Sequence, residues 1–593
     1  MEQHKIFPTD LAIDSMKDSG YRDVAHAIAE LIDNSIQAGH ELERPIKVEV
    51  ICLEEKVMVG NRKNNQIKKI AVYDNASGMT PEVLSLCLAF GQGTRRNAKN
   101  GMGKFGMGLP NASISQCNRV DVWSWQNGEI YHTYLDIKEI TEEKYDTIPE
   151  PSPCDSLPSE WENKIKSDLE DSGTLIVWND LDSLRWRRHK AFFANTAFIA
   201  GRMYRYFLLE EKAEISMLAY DGDKLLDELQ VLPNDPLYLM ENSQAPDPFS
   251  KKPAFEMFGD EVPIPFELDG TIHNIKVKFS IARQDFRRSI AEEGKNAGDT
   301  RLGKQCAKNQ GISIVRAGRE IDINHTFEIP YDPVERWWGV EVAFEPGADK
   351  IFGVTNNKQF ATSFKQLKLE ELAEQEEMSP GEMRTFLEEQ EDIRLPILKL
   401  SDVIISKLRA IRKQLENQTK GVKAAKKAAE GRDPANAAAD KVVSKDGKQG
   451  VSDKQSDTLT DDQKRDEIKG ELEKEGIVAD DEDLNSIIDH WLHDSKFIFT
   501  SAEIRGSRVI FDVSQPAGKI KVTFNTKHPA YEKFIQHLEA EDGLAFGSLK
   551  LLFAAWARME DVESQEEEKR EMLEDLRMHW GQMAKEMLDE YSR

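Results

Sequence analysis

Hydrophobic positions in the first part of the chain follow two different periods. Val24, Ile28, Ile32 and Ile36 recur every four residues, which predicts an amphipathic helix over residues 24–38. Short runs rich in β-branched residues predict strands at 46–53, 70–73, 120–125 and 174–178. The intervening stretch from 74 to 120 is dense in glycine and poor in periodicity, which is typical of a functional lid. The pattern predicts a mixed α/β domain over residues 9–185.

The pattern of hydrophobic residues changes several times after residue 185. Strand-like runs at 213–219, 275–281, 311–315 and 340–344 predict a second α/β domain over 186–362. Leucines and isoleucines spaced by three or four residues predict a helical segment over 363–418. Residues 419–465 contain no aromatic residue, a composition typical of a flexible linker. A helix at 485–492, a hairpin within 497–524 and a helix over 558–593 predict a C-terminal α+β module over 466–593.

Composition and charge narrow the functional class. The chain has 593 residues, 39% hydrophobic and 31% charged, and a formal net charge of −27. Such acidity argues against a protein whose whole surface binds nucleic acid or anionic membranes, although it is compatible with a local basic patch. The five cysteines form no C-x-x-C pair, which fits a reducing compartment better than a disulfide framework or a zinc module. We find no signal peptide and no apolar run of about 18 residues, and expect a cytoplasmic protein without a membrane span.

Glu30 and Asn34 are the first candidate functional residues. On the predicted helix they are four residues apart and therefore lie on one face. A carboxamide oxygen is a suitable Mg²⁺ ligand, and a carboxylate can deprotonate a water for attack on a phosphate. The same pair also fits the solvent-exposed face of an ordinary amphipathic helix. Alone, it does not decide between the two.

A second candidate group follows the strand predicted at 70–73. Asp74 can accept a hydrogen bond from an exocyclic amine at the end of this strand. Gly78 lets the backbone approach a flat ring closely, and Met79 offers a soft apolar contact. An ordinary turn would have much the same residues.

The glycine-rich stretch excludes two well-known phosphate loops. Residues 101–106 match G-x-G-x-x-G, but residues 91–100 do not form the strand that a dinucleotide-binding unit requires before it. A P-loop is excluded because Lys104 is followed by Phe105 instead of serine or threonine. What remains is a lid ending in Gly103, Gly106 and Gly108, whose amides could meet phosphates at the start of a helix predicted over 109–117.

Together with Thr174, these motifs resemble the GHKL ATPase superfamily over roughly residues 20–180. That superfamily includes gyrase-type topoisomerases, ninety-kilodalton heat-shock chaperones, histidine kinases, MutL and MORC proteins. Residues 29–36 and 105–109 look most like MORC-type and heat-shock-chaperone-like bacterial ATPases. The resemblance implies an N-terminal Bergerat-fold α/β sandwich and a second, transducer-like (S5-like) α/β domain. Ala76 replaces a usual glycine and Gln37 a common aspartate.

The resemblance also implies roles for individual residues. Glu30 would be the general base and Asn34 the Mg²⁺ ligand in ATP hydrolysis. Asp74 would recognise the adenine amine. Lys358 would be a catalytic lysine that senses the γ-phosphate, although an exposed lysine in a polar loop is the alternative, and segment 313–321, with Arg319, would belong to the transducer core. The remaining nucleotide contacts would come from Gly78, Met79 and Thr174 for the base and from Gly103, Lys104, Phe105, Gly106, Met107, Gly108 and Leu109 for the phosphates.

We expect ATP binding to gate homodimerisation, which makes the protein a conformational switch. A histidine kinase is disfavoured, because the helix of Glu30 lies too near the N-terminus for a preceding phospho-acceptor bundle. Basic segments at 185–190 and 407–432, the latter with nine Lys/Arg against two Glu, favour a MORC-like DNA-associated clamp. Solvated helix faces and linkers would look similar. The alternative function is a chaperone-like protein remodeller whose protein partners bind the acidic helices at 370–392 and 558–593.

Overall fold

A computed structural model describes most of the chain, in two compact units. The described residues are 13, 15–17, 20–59, 62–91, 107–142, 147–268, 270–287, 297–330, 332–354, 360–429, 434–475, 477, 481–493, 496–504, 508–541 and 543–591. The first unit combines Met1–Arg283 with Gly298–Arg412, and the second combines Gln284–Ala297 with Lys413–Arg593. No helix within the described ranges is long and apolar enough to cross a membrane.

An eight-stranded sheet forms the base of the first unit. Its strands are β1 (Ile46–Val59), β2 (Arg62–Asp74), β3 (Cys117–Gln126), β4 (Glu129–Asp136), β5 (Ser152–Cys154), β6 (Ser172–Leu181), β7 (Ala213–Asp221) and β8 (Lys224–Gln230). The spatial order is β5-β4-β3-β6-β2-β1-β7-β8. Neighbouring strands are antiparallel except β1 and β7, which run parallel with Ile46 opposite Ala213. All four strands predicted in this region are confirmed.

Helices pack against this sheet. They are α1 (Val24–Ala38), α2 (Pro81–Leu84), α3 (Gly108–Ile114), α4 (Ile137–Thr141), α5 (Ser159–Glu162), α6 (His189–Met203) and α7 (Arg205–Leu209). Helix α1 begins after Asp23, whose side chain accepts a hydrogen bond from the backbone N–H of His26. Its row Ile28, Ile32 and Ile36 is buried in one core with residues of the sheet. The predicted helix is therefore confirmed at both ends.

A second sheet completes the first unit. It consists of β9 (Phe255–Met257), β10 (Val262–Leu268), β11 (Thr271–Ala282), β12 (Ile312–Arg316), β13 (Arg319–Asn324) and β14 (Trp338–Phe344), in the order β10-β11-β14-β12-β13 with β9 beside β11. The helices of this part are α8 (Arg301–Lys308), α9 (Asp349–Phe352), α10 (Leu369–Gln375) and α11 (Pro380–Glu389). Helix α12 (Leu395–Ala429) begins in the first unit and continues past Arg412, the last residue of that unit. The whole is the mixed α/β architecture that the sequence predicts.

The first sheet extends past the domain boundary predicted at 185/186. Strands β7 and β8 belong to it, and Phe192 and Met203 of α6 lie in the same core as Ile28 and Ile32. A parallel pairing joins β1 to a strand that follows more than 150 residues later in the sequence. Such pairings leave no local sequence pattern.

The second unit consists of helices around a small sheet. The helices are α13 (Pro434–Asp446), α14 (Val451–Thr458), α15 (Asp461–Lys474), α16 (Asp481–His493), α17 (Gln536–Glu541), α18 (Gly543–Glu563) and α19 (Glu567–Tyr591). The strands are β15 (Phe497–Ala502), β16 (Phe511–Ser514) and β17 (Ile520–Asn525). Only β16 and β17 form a hairpin, because β15 runs parallel to β17. The single helix predicted over 558–593 is two helices.

Residues 419–465 contain helices where the sequence predicted a flexible linker. Their alanine-rich composition favours helix as well as disorder, and Ala439 of α13 packs into the core of the second unit. The backbone N–H and hydroxyl of Ser452 both donate to the fully buried Asp561 carboxylate, at 2.7 and 2.8 Å. Because the segment has no aromatic residue, its composition alone does not predict this packing.

Candidate functional site

Glu30 lies on the side of helix α1 that faces the start of α3, and Asn34 follows it by one turn on the same helix. Glu30 is buried and Asn34 half-buried. Gly108, the first residue of α3, lies directly against the Glu30 carboxylate: a Cβ on Gly108 would be 1.9 Å from Glu30 Oε1. Only glycine at 108 leaves the carboxylate where it is. The end of the glycine-rich stretch and Glu30, which are far apart in sequence, are therefore in contact.

Tyr21 is a second residue in contact with Glu30. Its hydroxyl is hydrogen-bonded to the Glu30 carboxylate. Burial, together with the nearby carboxylates of Glu30 and Asp33, raises the pKa of Tyr21 well above its usual range. Tyr21 is consequently a neutral hydrogen-bond donor that fixes the orientation of Glu30. The sequence analysis did not identify it.

Asp33, one turn from Glu30, is the meeting point of three elements. Its Oδ1 accepts a hydrogen bond from Arg319 Nε of β13 at 2.9 Å and lies 2.9 Å from the hydroxyl of Tyr204, which follows α6. Arg319 and Tyr204 are both buried. Burial alone would lower the pKa of Arg319, but the nearby Asp33, Tyr204 and Glu30 raise it above its ordinary value. A permanent positive charge from the second sheet thus lies beside the helix that carries Glu30.

Asp74 is the last residue of strand β2. It is buried, and its carboxylate accepts three hydrogen bonds from within the protein. Oδ2 accepts from the Ser35 hydroxyl at 2.7 Å, and Oδ1 accepts from the backbone N–H of Ala76 at 3.0 Å. A further hydrogen bond comes from the backbone of Thr174. Burial raises the pKa of Asp74 to about 6, and these three hydrogen bonds oppose that rise. Asp74 is thus a carboxylate at neutral pH.

Gly78, Met79 and Thr174 are brought together around Ser124. Gly78 has φ +65°, and a Cβ on it would be 2.1 Å from the carbonyl oxygen of Trp125. The Met79 backbone N–H donates to Ser124 Oγ at 2.8 Å, and Ser124 Oγ lies 3.0 Å from Thr174 Oγ1. Ser124 was not predicted, since a lone serine in a strand gives no signal. Ala76 is not among the described residues with positive φ, so alanine is unstrained there.

Several predicted site residues cannot be placed. Gly103, Lys104, Phe105, Gly106 and Lys358 lie outside the described residues. Met107, Gly108 and Leu109 are described and form the cap and first turn of α3. This helix ends at Ile114, earlier than predicted, because strand β3 begins at Cys117.

The described residues fit an adenine nucleotide with magnesium. A carboxylate offers about four acceptor positions, and Asp74 uses three, so one remains for an exocyclic amine. Asn34 offers an amide oxygen beside Glu30. Over the described part of the chain, no group of three or more His, Cys, Asp or Glu could hold a metal ion by itself. Magnesium often takes only one or two protein ligands and completes its shell with phosphate and water oxygens, so a single amide oxygen suits it.

A comparison with protein families shows what class of domain this α/β segment resembles. Residues 21–168 match the family model described as "Histidine kinase-, DNA gyrase B-, and HSP90-like ATPase". This segment of the chain is therefore a GHKL-type ATPase domain, a class that binds ATP. It contains Glu30, Asp74 and Gly108, and it ends shortly before Thr174. The closer resemblance to MORC-type proteins stays a prediction.

Two further comparisons add little. The comparison with curated proteins found no match. A solved structure titled "Crystal Structure of N terminal domain of a DNA repair protein" is similar at 14% identity and a TM-score of 0.34, covering 58% of this chain and 89% of that one.

The contact between Gly108 and Glu30 generates a testable prediction. In Gly108→Ala the new Cβ must displace the Glu30 carboxylate, and a shift of about 1 Å at a reacting group can cost about 100-fold in rate. We expect ATP turnover to fall by roughly that factor, measured by phosphate release. Gly381→Ala is the matched control, since a Cβ on Gly381 meets no atom within 4 Å. Equal turnover in both variants would contradict the assigned contact.

Proposed function

We propose that the first unit hydrolyses ATP with magnesium, and that Glu30 is the general base that takes a proton from the attacking water. The position of Glu30 carries this proposal: the carboxylate is buried, oriented by Tyr21, and in contact with the residue that ends the glycine-rich stretch. Asn34 would hold the magnesium ion through its amide oxygen. When bound, the ion would offset negative charge on the phosphates.

In this proposal Asp74 selects the base of the nucleotide. Its carboxylate accepts a hydrogen bond from the amine of adenine, whereas guanine has a carbonyl oxygen at the corresponding position and would face it with repulsion. Gly78, Met79 and Thr174 surround the base, with Ser124 joining Met79 to Thr174. The predicted phosphate contacts of residues 103–109 complete the site.

We further infer that ATP binding closes a homodimer and that the second sheet takes part in the change. The hydrogen bond between Asp33 and Arg319 supports the participation of the second sheet, because it joins β13 to the helix of Glu30. Lys358 is proposed to sense the γ-phosphate from the same part of the chain. A ligand can drive such a change only if it binds one state more tightly than the other.

Two substitutions separate binding from hydrolysis. Glu30→Gln keeps the shape of the side chain but removes the base, so we expect ATP affinity within about 2-fold of wild type and turnover lower by about 100-fold or more. Asp74→Asn should lose ATP binding, because an amide presents N–H groups where acceptors are needed. Isothermal titration and phosphate release measure the two effects. The exposed Glu41→Gln serves as control, and normal turnover in Glu30→Gln would contradict the base assignment.

DNA is the client that we propose for this switch, as in a MORC-like clamp. The supporting observation is that the side chains at Arg185, Arg187, Arg188 and Lys190 are exposed, with Arg185 over the ring of Trp186. The other basic segment supports it less. Arg412 is bound at both ends of its guanidinium to the buried Glu335, so it belongs to the fold. The side chains from 419 to 432 lie outside the description.

This proposal predicts a salt-dependent complex. If the four cations of 185–190 neutralise phosphates, the logarithm of the affinity should fall with the logarithm of the salt concentration with a slope of about −3 to −4. Arg187→Glu with Arg188→Glu should reduce that slope by about 2, and Lys224→Glu, an exposed cation on β8, should not. The measurement is a mobility shift with a non-hydrolysable ATP analogue, with sedimentation of the same mixture reporting whether the bound species is a dimer. Absence of binding at low salt would contradict the clamp and leave protein remodelling as the function.

A further inference from the structure

Helix α19 closes the core of the second unit with one face only. On that face Arg577 forms ion pairs with Glu560 and with Asp512, the latter at 2.7 Å. Gly581 lies so close to the backbone of residues 508 and 509 that a Cβ would be 2.2 Å from the carbonyl oxygen of Arg508. Its own carbonyl oxygen accepts a hydrogen bond from His528 Nε2 at 2.9 Å. The orientation of the helix about its axis is thereby fixed.

The outward face of α19 carries a stripe of apolar side chains that are about half exposed or more. Met572, Leu576, Met583 and Met587 are 55%, 47%, 53% and 64% exposed. Their spacings of four, seven and four residues place them along one side of the helix. The stripe extends over about 22 Å, taking roughly 1.5 Å per residue. An exposed row of apolar side chains of this kind marks an interaction site more often than chance.

One edge of this stripe is acidic. Glu568, Asp575 and Glu586 are all exposed and follow one line beside the stripe, at spacings of seven and eleven residues. No cation in the described part of the chain lies within ion-pair distance of these three carboxylates. Trp580 and Tyr591 occupy the opposite edge and carry no negative charge. The surface thus presents apolar contacts flanked on one side by unneutralised negative charge.

Charge complementarity decides which partner fits. A second copy of the chain meeting this stripe in an antiparallel two-fold arrangement would place the acidic edge against itself, because such contacts pair a surface with its own copy. The net charge of −27 adds to that repulsion. A helix with apolar residues at i, i+4, i+7 and i+11 and lysines or arginines along one edge would instead satisfy both the stripe and the carboxylates. Methionine side chains suit such docking because they adapt to different shapes.

We propose that the surface formed by Met572, Leu576, Met583 and Met587 binds a basic amphipathic helix of a partner protein, with Glu568, Asp575 and Glu586 pairing with its cations. The site is separate from the nucleotide chemistry and does not depend on it. It gives the second unit a recognition function of its own.

The test uses a synthetic helix-forming peptide with leucines at i, i+4, i+7 and i+11, lysines along one edge and alanine elsewhere. A second peptide has glutamates in place of the lysines. Fluorescence anisotropy with the full chain should show the lysine peptide binding about 10-fold more tightly or better, a difference of about 1.4 kcal/mol. The double variant Leu576→Ser, Met583→Ser should weaken the lysine peptide by about 10-fold. Met578→Ser is the matched control, since Met578 is 44% exposed but lies off the stripe.

Three results would overturn the proposal. Equal binding of the two peptides would show that the acidic edge does not select its partner. An equal loss in Met578→Ser and in the double variant would show that the stripe is not the site. A wild-type dimer in sedimentation that dissociates in the double variant would show that the occupant is a second copy. Circular dichroism of each variant, with an unchanged melting temperature, establishes that the folded chain is being compared.

Discussion

The proposed site depends on the ion pair between the buried carboxylate of Asp33 and the guanidinium of Arg319. Asp33 lies on α1, one turn from Glu30, and receives Arg319 from the second sheet while the Tyr204 hydroxyl lies 2.9 Å away. Removing both charges from water is costly, and losing one partner of such a pair typically destabilises a protein by about 3–5 kcal/mol. The pair therefore contributes less to net stability than to fixing one arrangement of α1, the end of α6 and β13.

A second buried group reinforces the same junction. Glu320, the neighbour of Arg319 on β13, accepts hydrogen bonds from Arg202 of α6 at 2.6 Å and from Arg205 of α7 at 3.0 Å. Arg205 is fully buried and also binds Glu341 of β14 at 2.6 Å. Two consecutive residues of β13 thus bind α1, α6 and α7. A displacement of the second sheet could not leave Glu30 undisturbed.

The sequence predicted those parts of the structure that depend on local pattern. The four-residue period of its isoleucines predicted helix α1. The position of Asp74, Gly78 and Met79 after a predicted strand indicated that these residues form one group. The parallel pairing of β1 with β7, the bridge made by Ser124 and the contact of Gly108 with Glu30 depend on residues far apart in the sequence, and no spacing reveals them. Asp33 did offer a signal: it is a charged residue among the buried positions of an amphipathic helix, and a buried charged group needs a partner.

Composition alone gives little sign of packing that involves only small side chains. The alanine-rich stretch after residue 419 has no aromatic residue to indicate a core, yet Ala439 packs into the core of the second unit and Ser452 donates two hydrogen bonds to Asp561. The opposite holds at the C-terminus. Helix α19 has more apolar residues than its core face can bury, and that excess, not its acidity alone, is what distinguishes it.

The central claim is that Asp33 and Arg319 act as one unit in positioning Glu30, and a double-mutant cycle on ATP turnover tests it most directly. Arg319→Met and Asp33→Asn should each lower turnover by about 10-fold with little change in ATP affinity, and the double variant should lose no more than either single one, giving a coupling of about 1–3 kcal/mol. Losses that simply add in the double variant would show that the two residues act independently, and would contradict this account.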